Sequence, residues 1–176
     1  MKKKSLLFIF LMMLISSFKV NNSYAVTNED NAKTLKGIKS IYIVFEDFAQ
    51  KKGEIGIKEL GITEEQIIEK MELKLRLAGI KIISREECLK TKGSPLLLIS
   101  SDIYLRGDSF GYVIFITLNQ NVLLERNTKL QTSAITWNHM SYGIIGKNNT
   151  SDKILKLIDE ISDLFLNDYL SVNPKK

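Results

Sequence analysis

The sequence predicts an α/β (α+β) domain: a mixed sheet of about five strands, two parallel through a helical crossover and three antiparallel, with two long helices on one face. Three observations carry it. The strand-like run Ser40–Phe45 (SIYIVF) and the short apolar run Ile80–Ile83 flank a capped helical stretch, and a strand–helix–strand unit closes as a right-handed parallel crossover. Three apolar-rich segments between Leu96 and Tyr142 are joined by short turns, which antiparallel neighbours permit and parallel ones do not. Two stretches, near 64–78 and 151–169, repeat apolar residues at the spacing that buries one helical stripe.

In chain order, residues 1–25 read as a secretory signal peptide. Lys2, Lys3 and Lys4 precede the apolar run Leu6–Ile15, and Ser23-Tyr24-Ala25 is a small-x-small cleavage site before Val26. The run is too short to span a membrane, so no stable span is expected after cleavage, and no cysteine lies at the site to take a lipid. Cleavage removes Lys2, Lys3, Lys4 and Lys19 with no acid, so the formal charge falls from +5 to +1. The mature chain is therefore not a basic protein seeking nucleic acid. Its 151 residues form one domain able to fold without disulfides.

Residues 26–36 are polar and aperiodic, and read as a flexible leader to a single domain over 37–176. Glu46 and Asp47 end the first strand. A long connection over 48–61 follows, with Gly53, Gly56 and Gly61 among Lys51, Lys52 and Lys58. Thr63-Glu64-Glu65-Gln66 is a capping box, opening a helix that Gly79 stops. Within it Met71–Leu77 (MELKLRL) alternates like a strand, but its residues are helix formers. Ile67, Met71, Leu75 and Ala78 form its core stripe, while Leu73 and Leu77 lie off it, one turn apart. They are either a second buried flank or a partner-binding stripe. Ser84-Arg85-Glu86-Glu87 repeats the capping box for a short helix ending near Lys92-Gly93. Strands are expected over 96–105, 110–125 and 130–142, the last broken by Gly143 and Gly146. A final helix carries Ile154, Leu157, Ile158, Ile161, Leu164 and Phe165 inward.

Composition narrows the chemistry. The chain is 44% hydrophobic and 26% charged, with one cysteine and one histidine. An intrachain disulfide and a multi-histidine metal site are excluded, and neither a metal nor a cofactor is implied. His139 has no nucleophile-elbow serine to serve and reads as a strand residue. Cys88 follows Glu86-Glu87, which disfavours a thiolate, and reads as a small buried hydrophobe. Gly143–Lys147 departs from a phosphate-binding loop at both ends of the pattern. Aromatics spread over three strands lack the basic groove that nucleic acid requires. Glu46 and Asp47 stand at the carboxyl end of a strand, where open α/β sheets bind ligands, but as neighbours they point to opposite faces.

Several stretches, among them Tyr42–Phe48 (YIVFEDF), Gly61–Ile80, Leu118–Asn127 (LNQNVLLERN), Thr132–Gly146 and Phe165–Lys175 (FLNDYLSVNPK), resemble a family of small exported bacterial proteins to which no activity is assigned. The resemblance covers most of the mature chain and carries over no site residues. At the level of fold alone, the chain is also similar to the amino-terminal domain of the envelope protein TolB and related assembly modules. The expectation is a non-enzymatic, exported protein, periplasmic or secreted, with no catalytic residues, that binds another envelope protein through Leu73 and Leu77. The alternative is a small-ligand carrier using Glu46 and Asp47. Oligomeric state is not readable from the sequence.

Overall fold

The computed structural model describes residues 28–48 and 54–174. The signal-like segment and its cleavage site lie outside the described residues, as do Lys51, Lys52 and Gly53 of the long connection. The elements run α1 (Asn28–Lys33), β1 (Ser40–Asp47), a 3-10 turn (Ile57–Leu60), α2 (Glu64–Leu77), β2 (Lys81–Ile82), α3 (Arg85–Lys90), β3 (Leu96–Arg106), β4 (Ser109–Leu124), β5 (Asn127–Gly146) and α4 (Thr150–Val172). The strands form one mixed sheet in the order β2-β1-β3-β4-β5. β1 is parallel to both β2 and β3, whereas β3, β4 and β5 are antiparallel.

The predicted capping boxes both close. Thr63 Oγ1 accepts from Gln66 N while Gln66 Oε1 accepts from Thr63 N, and Ser84 and Glu87 do the same at α3. The sheet's inner face is built by one parity of each strand: Ile41, Ile43 and Phe45; Leu97, Ile99 and Ile103; Ile114, Ile116 and Leu118. These residues share a core with Ile67, Met71 and Leu75 of α2 and with Ile154, Ile158, Ile161 and Phe165 of α4. Trp137 of β5 joins them, its ring edge-on to Phe165 at 5.0 Å and its indole N–H given to Asp168 at 2.8 Å. A buried indole needs such a partner for its N–H.

Both long helices cover the same face and touch. Lys74 Nζ on α2 lies 2.7 Å from Asp159 and 2.5 Å from Asp163 on α4, and also donates to the Asp159 carbonyl. Lys70 reaches Asp159 at 3.2 Å. Burial disfavours the Asp159 carboxylate, but the hydrogen bonds from Lys74 and Lys70 outweigh it and hold its pKa below the ordinary value. Burial likewise opposes the Lys74 charge, and the two aspartates overcome it, raising its pKa.

Two expectations need correction. The stretch read as a polar leader carries α1, and Leu35 just beyond it is fully buried while Ala32 is buried. Polar neighbours hid one apolar anchor that plugs the end of the core. Nor does Gly143 break the last strand, which continues past it and ends at Gly146. Gly143 sits opposite Tyr112, whose hydroxyl would be 3.0 Å from a Cβ there. A missing side chain makes room for a large cross-strand neighbour.

The interhelical pair predicts an acid limb. A carboxylate with a lowered folded pKa stabilises the fold above its unfolded value and loses that contribution as pH falls through the folded one. The raised Lys74 value keeps its contribution complete at every pH below the unfolded lysine value, so it adds nothing to the acid limb. Urea midpoints of the native chain should therefore drop more steeply below about pH 4 than those of Asp159→Asn. Parallel curves would show that the pair contributes nothing.

Candidate functional site

The first candidate lies at the carboxyl end of β1. Alternation there separates the two acids that the sequence singles out. Glu46 is exposed on the outer face, whereas Asp47 lines a cavity of about 320 Å³ with Phe45, Glu54, Gly56, Ile57, Lys58, Glu59 and Glu64. Asp47 Oδ2 accepts from Ile57 N at 2.8 Å and so anchors the 3-10 turn to the strand. The chain passes between two carboxylates at Gly56. A Cβ there would be 2.6 Å from Glu59 Oε2 and 2.9 Å from Asp47 Oδ2. The cavity is therefore acidic with one lysine, and it opens where strand-end ligands bind. Among the described residues, no three histidine, cysteine or acidic side chains are placed to hold a metal ion.

The second candidate is the outer flank of α2. Leu73 and Leu77 are 60% and 69% exposed. They belong to no buried core cluster, so they do not form a second buried flank. The structure does not bring them together with Glu46 or Asp47. Cys88 is buried, its Sγ 3.5 Å from the Pro95 carbonyl, and burial raises its thiol pKa. His139 is half-buried and, among the described residues, makes no hydrogen bond or ion pair.

The largest feature is one that sequence reasoning missed. Among the described residues, the outer face of the sheet has no helical layer over β4 and β5. The short helix α3 covers only one corner, where Cys88 and Leu89 line a cavity of about 250 Å³ with Tyr42 and Leu96. Beyond it, Tyr104, Ile135, Met140, Tyr142 and Ile144 are exposed, and Val113 and Phe115 are half-buried beside them. The cross-strand register brings Phe115 to Met140, Val113 to Tyr142 and Gly111 to Ile144. Tyr104, Tyr142, Met140 and Ile144 also line one shallow hollow of about 500 Å³ with Arg106. No charged residue occurs in β4, nor from Leu130 to Gly146 of β5. That absence of charge is the signal the sequence carried. The apolar stripes of the helices carry a stronger periodicity than this bare sheet face.

No protein-family model matches the chain, and no curated protein matches it. Among the described residues, no helix is long and apolar enough to cross a membrane.

Two outcomes follow for stability. Leu73→Asp with Leu77→Asp should leave the urea midpoint within about 0.5 kcal/mol of the native value, as exposed positions do. Cooperative unfolding lost in that variant would place the leucines in the core. Asp47→Ala should cost about 1–3 kcal/mol by leaving the Ile57 N–H without its acceptor, read by denaturant titration with circular dichroism.

Proposed function

We propose that the chain is a non-enzymatic, exported protein-binding module that docks another envelope protein, as an assembly component does. The observation that carries this reading is the uncovered outer sheet face. Soluble monomers rarely leave a contiguous apolar surface of more than a few hundred Å², and five large apolar side chains stand exposed on this one. The face has no charge on β4, nor on β5 from Leu130 to Gly146, to recruit an ionic partner. Its chemistry suits an apolar, uncharged surface, held by aromatic and methionine contacts. Leu73 and Leu77 offer a second, smaller contact on the opposite side of the molecule. The signal-like amino terminus supports an envelope or extracellular setting.

A small-ligand carrier is the second reading, favoured by the acidic strand-end cavity around Asp47. The two readings separate in one experiment. In-cell crosslinking of the tagged chain, followed by mass spectrometry, should give a dominant envelope partner. That adduct should fall at least tenfold in Tyr104→Asp, a change on the outer face in a side chain that does not line the Asp47 cavity. Capture that survives Tyr104→Asp and Leu73→Asp/Leu77→Asp would refute the docking reading. Loss of an associated small molecule in Asp47→Ala, with no protein adduct in any variant, would favour the carrier.

A further inference from the structure

β5 is the last strand of the sheet, so one of its edges faces outward for most of 20 residues. Natural edges of this length are blunted by lysine, proline or inward charges, because a bare edge is a template for another strand. This edge has none of them from Leu130 to Gly146. Within that stretch its irregularity is the register shift opposite Leu118/Asn119. There the amino-terminal segment closes it. Thr34 Oγ1 donates to the Thr136 carbonyl at 2.8 Å, and Gln120 Nε2 donates to the Thr34 carbonyl at 3.3 Å. Among the described residues, the edge left open runs from Trp137 to Gly146.

We propose that this open edge pairs antiparallel with the same edge of a second copy, giving a two-fold dimer with one continuous ten-stranded sheet. The inference rests on the protein-binding reading and names one partner for it. A two-fold axis sets the residue on it against its own copy and brings the neighbours of that residue close, so charge there would repel itself. The open edge is free of charge, and Lys129 and Lys147 lie outside it. An axis normal to the sheet keeps each side chain on its own face, so even-numbered residues must meet even-numbered ones. With the axis at Tyr142, Met140 lies across from the partner's Ile144 and Asn138 from the partner's Gly146. Shifting the axis to Ser141 would set Asn138 against the partner's Ile144, a poorer match. The Tyr142 register matches Met140 with Ile144 and Tyr142 with itself, the kind of contact that stabilises antiparallel neighbours.

Size sets the strength. The paired run is about 30 Å long and buries on the order of 400–500 Å² per partner, below the size of stable interfaces and in the class of weak, reversible ones. A dimer with a dissociation constant near micromolar is expected. It would also join two uncovered sheet faces into one, doubling the surface open to a further partner.

Sedimentation velocity of the chain as purified from expressing cells tests this, from about 1 to about 100 µM. A concentration-dependent doubling of mass is expected. Tyr142→Lys and Tyr142→Glu, at a position 70% exposed, should each remain monomeric over that range with native circular dichroism. Mixed one to one, they should regain the dimer through opposite charges across the axis. Met140→Lys should likewise be monomeric, and adding Ile144→Glu in the same chain should restore the dimer. A native chain monomeric throughout would overturn the proposal, as would a dimer indifferent to all of these changes. A monomer that still captures an envelope partner in cells would refute self-pairing alone and leave the docking function standing.

Discussion

The contact between α2 and α4 over the inner sheet face is the constraint on which the other features depend. Lys74 sits between Asp159 and Asp163, and the two helices share one core with the inward residues of β1, β3 and β4. Two long helices placed side by side fill one face of a five-stranded sheet. That leaves only α3 for the other face, and six helical residues reach one corner of it. The uncovered outer face is thus a consequence of how the helical layer is distributed. The same arrangement places Trp137 under α4, where Phe165 and Asp168 hold it, and so fixes which parity of β5 faces inward.

Much of the fold was legible because local signals and tertiary structure agree. Thr63 and Gln66, and Ser84 and Glu87, mark helix starts that close as capping boxes. Ile67, Met71 and Leu75 are buried as their spacing requires. The failures have physical reasons. Leu35 stands alone among polar residues, so no periodicity announces that it is core. Gly143 resembles a strand breaker until Tyr112 is seen to lie across from it. The placement of β3 on the other side of β1 from β2 needs a second parallel crossover, through α3 on the outer face, and local pattern does not encode that.

The candidate sites divide in the same way. Helical geometry put Leu73 and Leu77 off the core stripe but left their exposure open, whereas the separation of Glu46 from Asp47 followed from strand alternation. The cavity around Asp47 was invisible because Gly56, Glu59 and Glu64 reach it from another part of the chain. The outer face was hidden differently. An alternating strand looks the same whether its second apolar set is covered or bare, so only the count of covering elements distinguishes the two. Charge carries the remaining information: a solvated face ordinarily bears charged side chains, and β4 and β5 bear none there.

The central claim is that this outer face is buried when the protein works, although it is exposed in the isolated chain. Oxidative footprinting of Met140 and Tyr142 tests it directly, comparing intact cells with dilute purified protein. Strong labelling of both is expected in dilute solution and marked protection in cells, with Leu123 at the hairpin end labelled alike in both settings. Equal labelling of Met140 and Tyr142 in the two settings would contradict it, and would mean that the face meets only water.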